Sequence, residues 1–89
     1  MKAVITVTGK DRVGIIADVS AECSKFGANI IDISQSVLKE YFAMIMLVEI
    51  ENLSVSFKSF QDELDKIAKV KSLDIRVMHE DIFNSMHRI

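Results

Sequence analysis

Residues Tyr41 to Glu51 read YFAMIMLVEIE and are apolar on both sides of an extended chain. Alternation puts Phe42, Met44, Met46, Val48 and Ile50 on one face and Tyr41, Ala43, Ile45 and Leu47 on the other. Such a strand belongs in the middle of a sheet, covered twice. Its continuous apolar run, Phe42 to Val48, is far too short to span a membrane. The rest of the chain must therefore supply neighbouring strands and at least one covering layer.

The flanking segments do so in a regular order. Lys2 to Thr8 is rich in β-branched residues, with Ala3, Ile5 and Val7 on one face and Val4 on the other. Gly14 to Phe26 carries a helical stripe of Ile15, Ile16, Val19, Cys23 and Phe26, with Asp11 placed as an N-cap and Gly27 as the terminating glycine. Ile30 to Leu38 alternates as a second strand, with Ile31, Ile33 and Val37 on one face and Asp32, Ser34 and Ser36 opposite. Lys39-Glu40 is the expected hairpin turn into the central strand. Phe57, Phe60, Leu64 and Ile67 mark a second helix. Leu73 to Glu80 alternates like an edge strand, and Ile82, Phe83, Met86 and Ile89 suggest a short helical tail from Asp81 to Ile89.

The order β-α-β, β-α-β predicts an α+β class: a ferredoxin-like sandwich of a four-stranded antiparallel sheet with both helices on one face, as one domain over residues 1–89. Its other face would be bare in a monomer. An 89-residue chain buries only about 60–65% of its unfolded surface. Yet 49% of its residues are hydrophobic and mean hydropathy is +0.25, so a second copy is expected to cover that face or the sheet edge.

Charge and residue types remove several function classes. Net charge is −2 with mixed signs, which leaves no basic stripe for nucleic acid. Tyr41 to Val48 lacks the basic-glycine-aromatic series of an RNA-binding sheet. One cysteine forms no internal disulfide, and the N-terminus runs straight into a strand pattern, so a cytoplasmic location is expected. Cys23 sits on an apolar stripe and reads as a small buried hydrophobe. His79 and His87 have no companions at metal-ligand spacing, so neither a metal nor a cofactor is expected. The serines lack an activating His and Asp arrangement, so no catalytic residue is assigned.

The segment that invites a ligand is Thr8-Gly9-Lys10-Asp11-Arg12-Val13-Gly14-Ile15-Ile16. A glycine-bearing loop entering a helix presents backbone N–H groups and the positive end of the helix dipole, which suit a small carboxylate. Asp11 is placed to meet an ammonium and Arg12 a carboxylate, with the Gly14 and Ile15 amides beside them. Asn29 can both donate and accept. In a split βαβ fold, however, Asn29 meets the loop only across a boundary between copies.

The ordered series Asp11-Arg12-Val13-Gly14-Ile15-Ile16, Gly27-Ala28-Asn29-Ile30, Gln35 and Glu40-Tyr41-Phe42 resembles an ACT domain. The form is that of the glycine-cleavage repressor and of the N-terminal part of formyltetrahydrofolate deformylases. Across its length the chain is similar to the small stand-alone ACT proteins of the UPF0237 group, apolar tail included. The resemblance implies a regulatory domain that pairs as a homodimer or higher homo-oligomer. A small effector, typically an amino acid, would sit between the first loop of one copy and the early part of strand two of its neighbour. By position, the loop contributes Asp11, Arg12, Val13, Gly14 and Ile15, and strand two contributes Asn29 and Ile30. Val13 stands where many relatives have proline, which leaves this loop less preorganised. Output would pass through a regulated protein partner. The alternative is a dimeric interaction module with no metabolite. An acylphosphatase-like hydrolase shares the topology but needs a V-Q-G-V-x-F-R series that is missing, and Asp11 would repel a phosphate.

Overall fold

The computed structural model describes residues 1–10 and 12–86. In chain order it contains β1 (Lys2–Lys10), α1 (Ile15–Phe26), β2 (Asn29–Leu38), β3 (Tyr41–Glu49), α2 (Phe57–Lys71), β4 (Asp74–His79) and α3 (Glu80–Met86). The strands form one sheet in the order β2-β3-β1-β4, and every neighbouring pair is antiparallel. This is the ferredoxin-like sandwich expected, extended by α3. His87 and Ile89 of the expected tail lie outside the described residues.

The core forms between one sheet face and two helices. Ala3, Ile5 and Val7 of β1 lie opposite Val48, Met46 and Met44 of β3. These six meet Ile15, Val19 and Cys23 of α1 and Phe60, Leu64 and Ala68 of α2 in one buried cluster. The Phe26 and Phe60 rings meet edge to face at 6.4 Å, joining the helices at one end. Cys23 is fully enclosed, and burial, with the nearby Glu22 charge second, pushes its thiol up to about 11.

The ends of the helices follow local chemistry. Ser56 is extended before α2, and its Oγ accepts the Ser59 N–H at 3.1 Å. The start of α1 differs from expectation. Gly14, in the left-handed region at φ 91°, holds the N-cap position and has no side chain with which to cap the helix. Asp11, placed as the cap from sequence, is three residues too early and lies outside the described residues. Gly27 ends α1 at φ 81°, where a Cβ would stand 2.6 Å from the Asn52 carbonyl oxygen.

Strand β2 departs from simple alternation. Ile30 lies opposite Val48 and Asp32 opposite Leu47, so Ile31 is the extra residue of a β-bulge. The bulge changes parity: Ile33 and Val37 share the helix-side face with Ile30, not with Ile31 as alternation alone suggests. This edge strand also runs beyond the cover of α1. All its residues except Ile30 are exposed.

The second sheet face is not bare throughout. Helix α3 packs against β1 and β4, and Val4, which β1 turns to that side, is buried. The rest of that face stays open, with Leu38, Tyr41 and Ile45 exposed on β2 and β3 and Thr8, Asp74 and Arg76 exposed on β1 and β4.

Two outcomes are expected. Gly27→Ala must distort both a left-handed backbone and a carbonyl contact, and should lower stability in urea by about 2 kcal/mol or more. Gly14→Ala meets open space and should cost only about 1 kcal/mol of backbone strain. The second outcome concerns pH. Folded Cys23 keeps its proton to higher pH than the unfolded chain does, so its contribution is constant below about pH 8.5. It then falls as pH rises toward 11. Denaturation curves for the protein and for Cys23→Ala should diverge in slope across that window alone.

Candidate functional site

Strand β1 ends at Lys10 and α1 begins at Ile15. The Gly14 carbonyl accepts the Asp18 N–H at 2.9 Å, the first turn of the helix. The N–H groups of Ile15, Ile16 and Ala17 have no carbonyl one turn earlier in the helix, and they mark its positive end. The left-handed Gly14 turns the chain into this arrangement.

Facing this turn is the later half of β2. Gln35 lies opposite Met44, and Val37 opposite Phe42, both on the helix side of the sheet. Together Arg12, Gly14, Ile15, Ile16, Ala17, Gln35, Val37 and Phe42 line an open groove of about 590 Å³. Buried Phe42 forms apolar floor, while Gln35 and Val37 are exposed along the strand edge. The groove thus combines backbone donors, an amide that donates and accepts, and apolar wall. A small carboxylate with a short apolar body matches that chemistry.

The expected site residues divide into two groups. Arg12, Gly14 and Ile15 line the groove, and Val13 is fully exposed beside them. Asp11 lies outside the described residues. Asn29 and Ile30 are at the other end of the sheet, paired with Glu49 and Val48, whereas the loop follows Lys10, which pairs with Tyr41. Eight strand positions separate Glu49 from Tyr41, roughly 26 Å. One chain therefore does not bring its own Asn29 and loop together.

Arg12 also has a second attachment, because its guanidinium donates to the Lys71 carbonyl at the end of α2. Gln35, Val37 and Phe42 were missed as site residues. Gln35 and Phe42 belonged to the recognised series, but only the β2–β3 register shows that they face the loop.

A second groove, of about 380 Å³, runs between α1 and α2 past Glu22, Ile67 and Val70. The ion pairs Asp18–Lys71 at 3.3 Å and Glu63–Lys66 at 3.0 Å occupy its lysines. Among the described residues, no group of three or more His, Cys, Asp or Glu side chains is placed to hold a metal ion. No described helix is long and apolar enough to cross a membrane. His79 stacks on Phe57 at 4.1 Å, and His87 lies outside the described residues.

Comparison with known proteins matches residues 2–78 to the ACT domain family model. The chain belongs to the ACT domain family. Within it, this ACT domain is 49% identical over 89 residues to a UPF0237 protein of Clostridium acetobutylicum, and each covers 100% of the other. It is 40% identical to an ACT domain protein from Streptococcus pneumoniae, with a TM-score of 0.80 and 93% of each chain covered. A formyltetrahydrofolate deformylase from Pseudomonas syringae contains the same arrangement in part of its length. There the TM-score is 0.80 at 25% identity, over 88% of this chain and 27% of that one.

Proposed function

We propose that residues 1–89 form one regulatory ACT domain, cytoplasmic and not catalytic, that senses an amino acid or similar small carboxylate at an interface between two copies. The signal passes to a regulated protein partner, without metal or cofactor. The observation that carries this reading is the groove where the first turn of α1, with its N–H groups, faces Gln35 and Val37 on an exposed strand edge.

The two edges of the sheet differ in a way that supports pairing through β2. Strand β4 is six residues long and carries Asp74, Arg76 and His79. Strand β2 is ten residues long, and Asp32 is its only charged side chain. A long, nearly uncharged edge with open N–H and C=O groups is a template for another strand. Two β2 strands laid antiparallel along their full length bring the partner's Asn29 beside Leu38, at the end where the groove lies. The two groups of expected site residues then meet: Asp11, Arg12, Val13, Gly14 and Ile15 from one copy, and the partner's Asn29 and the partner's Ile30. The partner strand would also close the open side of the groove.

Thermal unfolding against a panel of amino acids, with light scattering on the same sample, tests this directly. A ligand at about 100 times its Kd adds about 2.7 kcal/mol, a rise in Tm of roughly 10 °C or more in a domain of this size. A selective rise in a dimer is expected, abolished by Gln35→Ala with the fold intact. Ile33→Lys, which places two charges at the centre of the paired edges, should give folded monomers that no longer respond. A dimer that responds to no member of the panel would favour the interaction module, whose surface would be the open β2–β3 face.

A further inference from the structure

Three segments around the loop converge on one short stretch, Lys71 to Leu73, where α2 ends and β4 begins. Before the loop, Gly9 lies so close to this stretch that a Cβ would stand 2.7 Å from Leu73 Cδ2 and 3.5 Å from the Ser72 carbonyl oxygen. Within the loop, Arg12 donates to the Lys71 carbonyl, 59 residues away in sequence. After it, Asp18 of α1 pairs with the Lys71 ammonium at 3.3 Å.

Within the stretch, the Ser72 N–H donates to the Ala68 carbonyl. The Leu73 N–H donates to the Ala68 carbonyl at 2.8 Å, and Ser72 adopts a left-handed conformation at φ 57° that suits glycine better than serine. The Lys71 carbonyl is one of the last in the helix and has no N–H ahead of it in the helical ladder. Arg12 satisfies it with a charged donor at the negative end of the helix dipole.

We propose that Arg12 is a positioning residue: a latch that joins the wall of the groove to the last turn of α2, so that the order of the loop and the order of Lys71–Leu73 rise and fall together. This rests on the groove being the effector site only for its use, not for its existence. In that use, the guanidinium is committed to the protein and does not clamp the ligand, and the first-turn amides of α1 and Gln35 supply the ligand's polar contacts. The end of α2 becomes the place where occupancy of the groove is felt, because anything that orders the loop also orders the turn that launches β4.

Hydrogen exchange on the ligand-free protein tests the latch. Arg12→Ala should speed exchange on the order of fivefold at two separate places, the Asp18 and Val19 amides that close the first turn of α1 and the Ser72–Leu73 amides. Arg12→Lys, which keeps a donor, should recover part of both. Ser72→Gly, which relaxes the left-handed residue, should slow exchange at residues 72–73 and also at Asp18 and Val19. In the Arg12→Ala background that second effect should vanish, since coupling between two sites is reciprocal and needs its connection. Faster exchange confined to the first turn of α1, or Ser72→Gly acting on that turn without Arg12, would overturn the latch. Because no ligand is added, neither result depends on the sensor reading. A domain that shows the coupling but answers no amino acid would retain the latch and lose the sensor.

Discussion

The structure depends on hiding one face of a four-stranded sheet. Ile5 and Met46, side by side at its centre, are wholly enclosed, as are Val19 of α1 and Phe60 and Leu64 of α2 above them. A chain of this size has little else to spend on stability, since its surface ion pairs are exposed and such pairs contribute little. Every strand must therefore keep its register, because a one-residue slip would exchange the buried and open faces. The loop, the groove and the edges are positioned by that requirement.

Much of this was legible in the residues. The doubly apolar pattern of Tyr41 to Glu51 required a central strand, and β3 lies between β2 and β1. The spacing of Phe57, Phe60, Leu64 and Ile67 required a helix on the sheet, and α2 buries Phe60 and Leu64. What escaped was local backbone geometry. Alternation has no means of announcing the bulge at Ile31, because either parity of β2 offers apolar residues to the core. Asp11 has a side chain suited to a cap, but the N-cap position falls three residues later, on Gly14, whose left-handed backbone turns the chain into the helix. Lys39-Glu40 was recognised as a hairpin by position although it lacks the usual glycine, and Lys39 takes the left-handed conformation itself at φ 56°.

The groove was half legible. Its loop could be read from a glycine entering a helix, a purely local signal. Its far wall, Gln35 and Val37, depends on which residue of β2 stands opposite which residue of β3, a relation between segments that no spacing encodes. Asn29 and Ile30 show the converse. They were named through a family likeness, and the register sets them at the remote end of the same sheet. A site shared between two copies is the arrangement in which both kinds of reading hold together.

The strand order also has a bearing on how the chain is made. Strand β1 precedes the other strands in sequence, yet it sits inside the sheet, flanked by β3 and by the last strand, β4. Its pairing with β4 joins Ala3 to His79, so one side of the first strand has no neighbour until β4 has been made. Until then β1 presents a raw edge, and two apolar strands lack part of their cover. Contacts so distant in sequence are slow to form and leave nascent chains prone to misassociation. The domain is thus committed to folding as a unit, since the sheet around β1 closes only when β4 joins it.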